Sequence, residues 1–194
     1  MSLFLINCSH NGSLGEIWMK RILALLAISL GLVSFTAAAH GPSPQKVEKT
    51  ITIKADPAKV WAIVKDFSAI HQWHPGVAST KVEKVGDDTF RTLTFKNGGN
   101  VYEKLRSIDD ASMKIKYEII SGTLPLTDYN ATMTVTPGDN PGETKVIWMA
   151  RFYRLYKLNP PIPEGQDDAT AISAITGIFD SGLANLKTVA ESAK

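Results

Sequence analysis

Residues 47–55, VEKTITIKA, alternate between apolar and polar. Val47, Ile51 and Ile53 fall on one face and Glu48, Thr50, Thr52 and Lys54 on the other, the pattern of a strand with one buried side. Asp56-Pro57 follows, an N-cap residue ahead of proline at the first helical position. The period then changes. In AKVWAIVKDF, Val60, Ile63, Val64 and Phe67 form one helical stripe. A second short helix, SAIHQW, must end at Pro75, because the residue before a proline is pushed out of the α region.

From Val77 to Leu155 the period is two. VASTKVEKVG, DTFRTLTFKNG, NVYEKLRSID, SMKIKYEIIS, TDYNATMTVTPG and ETKVIWMARFYRL read as six strands. The breaks between them, such as Gly86-Asp87-Asp88 and Asn97-Gly98-Gly99-Asn100, are short turn sequences that imply antiparallel neighbours. After a proline-rich stretch, KLNPPIPEGQ, a long helix runs from Asp167 or Asp168 to about Ser192. Its expected apolar stripe is Ile172, Ile175, Ile178, Phe179, Leu183, Leu186 and Val189, with Gly177 and Gly182 thinning the middle. Seven antiparallel strands cannot all bury a face on two short helices. The long helix must therefore lie across the concave face of a curved sheet, giving a two-layer α+β fold.

The ends change what counts as the domain. From Met19 the chain has a positive start (Lys20, Arg21), an apolar run from Ile22 to Phe35, and then Ala37-Ala38-Ala39. That run is shorter than the roughly 20 residues a membrane-spanning helix needs. It reads as a secretory signal peptide cleaved after Ala39, with residues 1–18 as an upstream extension. The expected division is a leader over 1–39 and one domain over 40–194. The only cysteine, Cys8, falls in the leader, so the domain is expected to stand without disulfides, as suits a periplasm. Removing Lys20, Arg21 and Glu16 takes the formal charge from +2 to +1. No broad basic field remains for nucleic acid or anionic lipid.

Particular stretches go further. IKADPAKVWAIVKDFSAIHQWHP, EKLRSIDD, IISGTLPLTDYNATMTVTP and the closing helix resemble the START-like superfamily, which includes the polyketide cyclases (SRPBCC proteins). That resemblance implies a helix-grip fold, a seven-stranded curved antiparallel sheet wrapped around a long C-terminal helix, with two short helices between strands 1 and 2. More closely, HGPSPQKVEKTITIKADPAKVW, LPLTDYNA and RFYRLYKLNPPIPEGQDD look like the MxaD family of periplasmic proteins encoded with bacterial methanol-oxidation systems. What this implies is a non-catalytic accessory protein, with methanol dehydrogenase and its cytochrome c electron acceptor as partners. The alternatives are a carrier of a small hydrophobic ligand and a cyclase- or hydrolase-like enzyme.

A helix-grip fold encloses a cavity between sheet and long helix. Strand alternation aims Tyr117, Tyr129, Met133, Trp148 and Phe152 at it, with Trp73 as a cap, and Gly177 and Gly182 argue for room. Glu103 shares a face with Val101 and Leu105, so a carboxylate points where apolar groups do and must pair or protonate. Lys104 and Arg106 face the other way, which leaves Arg151 or Arg154 as candidate partners.

Two of the four histidines, His71 and His74, stand three apart in IHQWHP. On a helix they could share a metal with a processed N-terminal His40. The flexible leader and the Trp-His-Pro helix exit favour architecture instead, so no metal and no cofactor are expected. His74 is the one placed with Glu103 at the cavity, where a carboxylic acid and an imidazole could shuttle a proton. No serine sits in a nucleophile-elbow turn. Arg151, Tyr153, Arg154, Tyr156 and Lys157 combine the aromatic and basic groups enriched at interfaces and form the candidate partner contact.

Overall fold

A computed structural model of the chain describes residues 41–192. The leader, its cleavage point, Cys8 and His40 lie outside those residues. In chain order come β1 (Gln45–Ile53), α1 (Pro57–Val64), α2 (Ile70–Trp73), β2 (Val77–Val85), β3 (Asp88–Phe95), β4 (Asn100–Asp109), β5 (Lys114–Gly122), β6 (Leu126–Pro137), β7 (Thr144–Arg154) and α3 (Asp168–Ser192). That is the expected order of elements.

Local chemistry sets the boundaries. Asp56 caps α1, its Oδ1 accepting from Ala58 N–H at 2.8 Å. The helix stops at Val64, short of Phe67, because Asp66 Oδ1 accepts from both the N–H (2.9 Å) and the hydroxyl (2.6 Å) of Ser68. Those bonds offer the backbone a turn in place of the next helical bond.

All strands join one antiparallel sheet in the order β1-β7-β6-β5-β4-β3-β2. Strands β2 to β7 form a meander, each paired with the next, and β1 completes the far edge against β7. The two short helices carry the chain from one edge of the sheet to the other.

The long helix α3 grips the sheet beside β1. Lys49 Nζ pairs with Asp180 at 3.0 Å, Lys187 Nζ donates to Thr52 O at 2.9 Å, and Lys54 N donates to Glu191 Oε1 at 2.8 Å. The two elements advance in step: Lys49 to Lys54 in a strand and Asp180 to Glu191 in a helix each span about 16.5 Å. The buried line of α3 is Ala171, Ile175, Phe179, Gly182, Leu183, Leu186 and Ala190, while Ile172, Ile178 and Val189 flank it half-buried.

Gly182 corrects one expectation. A Cβ there would lie 2.7 Å from His74 Cδ2 and 2.9 Å from Trp148 Cζ3, so the missing side chain is filled by two rings and leaves no cavity. At Gly177 a Cβ would meet nothing within 4 Å. Of the two, Gly177 alone borders open space. Among the described residues no helix is long and apolar enough to cross a membrane.

Candidate functional site

The inner wall of the grip is a set of polar groups that satisfy one another. Arg91 on β3 stands directly across from Glu103 on β4, and its Nε donates to Glu103 Oε2 at 2.5 Å. Both side chains are about 95 % buried, with 4 % and 5 % of their surface exposed. Arg91 Nη1 also donates to Phe67 O at 2.9 Å, and the guanidinium lies over the rings of Phe67 (4.0 Å) and Tyr117 (5.1 Å). The ion pair thus ties the exit of α1 to the sheet. Burial pushes the Glu103 carboxyl above its ordinary range, and the Arg91 charge pulls it part of the way back.

Next to this pair, Tyr117 on β5 accepts from Trp148 Nε1 on β7 at 2.8 Å and is hydrogen-bonded to Tyr129 on β6. Burial, reinforced by the Glu103 charge, holds both phenols above their usual value, so both stay protonated near neutral pH. Trp148 stacks on Phe179 of α3 with ring centroids 4.1 Å apart and meets the edge of Trp73 at 5.8 Å. Trp73 Nε1 is buried without a hydrogen-bond partner.

His74 leaves α2 and turns inward. Gly76 N–H donates to its Nδ1 at 3.1 Å, which assigns the proton to Nε2, and Nε2–H donates to Ile178 O at 3.0 Å. Burial lowers its pKa, the bond to Ile178 opposes that, and the ring is held neutral between the start of β2 and the middle of α3.

These groups surround a chamber of about 30 Å³, room for no more than a water molecule or two. Glu103, Tyr117, Tyr129, Trp148 and His74 line it. Alternation therefore brings most of the expected cavity residues to one place, and His74 and Glu103 share its wall. Met133, paired with Trp148 across the β6–β7 ladder, and Phe152, stacked on Tyr129 at 6.3 Å, are buried in the core beside it rather than in its wall. Trp73 likewise belongs to the surrounding core and not to the lining.

Outside the chamber lies an open cleft of about 430 Å³ between α3 and the tips of the β3–β4 and β5–β6 hairpins. Phe95, Leu124, Ile178 and His74 border both spaces and separate them. Gly177, Ser173, Lys96 and Asn97 belong to the cleft alone. The cleft walls are mainly apolar, and the volume falls in the range of small-molecule sites.

Two expectations about charge need correcting. The partner of Glu103 is Arg91, not Arg151 or Arg154. Arg91 shares parity with Leu93 and Phe95, and counting residues outward from the Asn97-Gly98-Gly99 turn places it opposite Glu103. That count was the available signal. Arg151 is exposed, and Arg154 is only 7 % exposed. The Arg154 guanidinium donates to Tyr156 O (2.7 Å), Leu158 O (3.3 Å) and Asp168 Oδ2 (3.0 Å). Arg154 therefore holds the 155–167 loop against the first turn of α3 and does not present itself to a partner. Around it Arg151 and Lys157 are exposed, Tyr153 and Tyr156 are half-buried, and Lys157 pairs with Asp128.

The histidines diverge: His71 is exposed, its Nδ1 3.1 Å from Thr80 Oγ1, while His74 points inward. Among the described residues no group of three or more His, Cys, Asp or Glu side chains could hold a metal ion.

Comparison with known proteins gives one family and one fold shared with many solved structures. The sequence profile described as "Polyketide cyclase / dehydrase and lipid transport" matches residues 44–191. No curated protein matches the chain. Among solved structures, the protein XoxI from Bacillus cereus superposes with a TM-score of 0.65 at 24 % identity, over 76 % of this chain and 96 % of that one. The ZhuI aromatase/cyclase from Streptomyces sp. R1128 superposes at 0.61 with 14 % identity, over 77 % and 94 %. A START superfamily protein from Mycobacterium smegmatis gives 0.58 at 17 % identity, over 77 % and 99 %. At these identities the likeness is one of fold.

Proposed function

This chain belongs to the polyketide cyclase / dehydrase and lipid transport family, and on that premise we propose that it acts by binding rather than by turnover. Its ligand is a small apolar molecule, taken into the cleft between α3 and the two hairpin tips. The observation that carries this reading is the contrast between the two spaces. Inside, the titratable groups are engaged with each other: Glu103 with Arg91, and His74 with Gly76 and Ile178. A proton shuttle between them would break the bonds that hold the wall together. Outside, an apolar cleft of about 430 Å³ stands open beside a glycine whose missing side chain adds to it.

Gly177→Phe tests the proposal. A side chain at this position extends into free space, so the helix and core should remain as they are. The neutral apolar dye Nile red should gain fluorescence on the parent protein and fail to do so on the variant, with circular dichroism unchanged. Equal dye binding by both proteins would refute it.

A second reading is an exported accessory protein that docks on methanol dehydrogenase or its cytochrome c acceptor in the periplasm. It is supported by the resemblance of HGPSPQKVEKT, LPLTDYNA and the 151–167 segment to the MxaD family, and by the way Arg154 fixes that segment in place. The purified protein should then change the rate of electron transfer from methanol dehydrogenase to the cytochrome. Changing Tyr153 and Tyr156 to alanine should weaken that effect. An unchanged rate with the parent protein present counts against this reading.

A further inference from the structure

We propose that the ligand of the cleft is an anionic amphiphile, with its apolar tail along Phe95, Leu124 and Ile178 and its carboxylate-class head at Lys96. This rests on the cleft-binding reading above and narrows it to a chemical class.

Among the described residues lining the cleft, Lys96 carries the one formal charge, since His74 is held neutral. Most of the other lysines near an acid are taken: Lys49 by Asp180, Lys65 by Asp110, Lys104 by Asp88 and Lys157 by Asp128. Among the described residues Lys96 makes no ion pair, and its side chain is exposed at the lip. Its backbone is nevertheless fixed, because Lys96 N–H donates to Gly76 O at 2.9 Å and ties the β3–β4 tip to the exit of α2. A pinned backbone holds the charge at the cleft mouth while leaving the ammonium free to meet an incoming group.

The other polar groups at the lip lean the same way. Asn97, which also lines the cleft, spends its Oδ1 on the Gly99 N–H at 3.1 Å, so its amide nitrogen, with two donors, is what it has to offer a ligand. Ser173, one turn before Gly177 on α3, adds a hydroxyl. Ser181 does not: its hydroxyl donates back to Gly177 O at 2.7 Å and Ile178 O at 3.2 Å. Among the described residues the lip therefore offers a cation and donors, with no acid in its lining to repel an anion. Beneath it the walls are Phe95, Leu124, Ala174 and Ile178, which accept hydrocarbon. A neutral apolar ligand would leave the lysine unused, and a cationic head would face it directly.

The test is calorimetric titration of the purified protein with decanoate, decan-1-ol and decyltrimethylammonium below their micellar concentrations. Decanoate should bind about three- to tenfold more tightly than decan-1-ol, the advantage expected of one partly exposed charge-assisted contact. The cation should bind weakest. Lys96→Gln should remove the preference for decanoate while leaving decan-1-ol binding in place, and added salt should erode the preference in the parent protein alone. Equal affinity for decanoate and decan-1-ol overturns the proposal, as does a preference that survives in Lys96→Gln. Absence of binding by all three, or binding indifferent to Gly177→Phe, overturns the cleft reading itself and this one with it.

Discussion

Removing the cation from the Arg91–Glu103 pair is the sharpest way to test how the inner wall is held. In Arg91→Met the methionine can occupy the space of the arginine stem between Phe67 and Tyr117. It leaves two groups stranded: the Glu103 carboxyl, 5 % exposed, and the Phe67 carbonyl. Breaking one side of a buried pair costs about 3–5 kcal/mol at a pH where the remaining charge stays ionised. For a domain of this size that corresponds to a melting temperature lower by about 6–20 °C.

The loss should depend on pH in a defined direction. Burial already raises the folded-state pKa of Glu103 above its ordinary 4.5, against the pull of Arg91. A raised folded pKa means that the native state holds the proton longer than the unfolded one. Stability is then greatest below the unfolded value and falls as pH rises through the folded one. Without Arg91 the folded pKa climbs further and the falling window widens. The difference between parent and variant should be small at pH 4.5 and grow toward pH 8. Urea unfolding followed by tryptophan fluorescence at both pH values reads it. Arg91→Met/Glu103→Leu should recover about 2 kcal/mol or more of the loss, because no uncompensated charge remains. A single variant within about 1 kcal/mol of the parent at pH 8, or a double variant no better than the single, would refute the account.

The two helix glycines should respond oppositely. Gly182→Ala drives a Cβ into His74 and Trp148 and should destabilise by about 1–3 kcal/mol, whereas Gly177→Ala should stabilise by about 0.5–1 kcal/mol through helix propensity; thermal unfolding of both checks this. His74 has a lowered folded pKa, so its contribution is present above the unfolded value of 6.5 and is lost as pH falls through the folded one. His74→Gln should flatten that acid limb while costing about 1–3 kcal/mol at pH 8 for the partners it leaves, measured by unfolding at pH 5 and 8. Arg154→Met should free the 155–167 loop, seen as faster limited proteolysis within it at unchanged secondary structure.

The sheet and the long helix were legible because period and punctuation agreed along the whole chain: tight glycine turns, unbroken alternation, and one apolar stripe on the last helix. Parity also carried Glu103, Tyr117, Tyr129 and Trp148 to a common wall, since a strand offers only two faces. What parity cannot supply is depth. Met133 and Phe152 have the right face but stand beside the chamber, and Gly182 looks like space until two rings are found in it. Arg91 was missed because the partner of Glu103 was sought on a distant strand, when the hairpin register put one directly opposite. Arg154 shares parity with Trp148 and Phe152, but nothing in RFYRLYK shows that its partners are the loop that folds back over it and the first turn of α3.

The placement of β1 bears on when this protein can fold. The first strand of the sheet has two neighbours, β7 and α3, and both come from the last third of the chain. An emerging polypeptide can zip β2 to β6 hairpin by hairpin, but β1 must wait with its edge bare until residues beyond Thr144 arrive. Closure of such a distant pairing is slow relative to local turns. A chain stopped before Asp168 holds all seven strands yet lacks the helix that covers Trp148 and supplies Phe179 to its stack. Completion of the fold is thus tied to the arrival of β7 and α3, and any machinery that handles the nascent protein meets an open, pliable sheet until residues 144–192 are made.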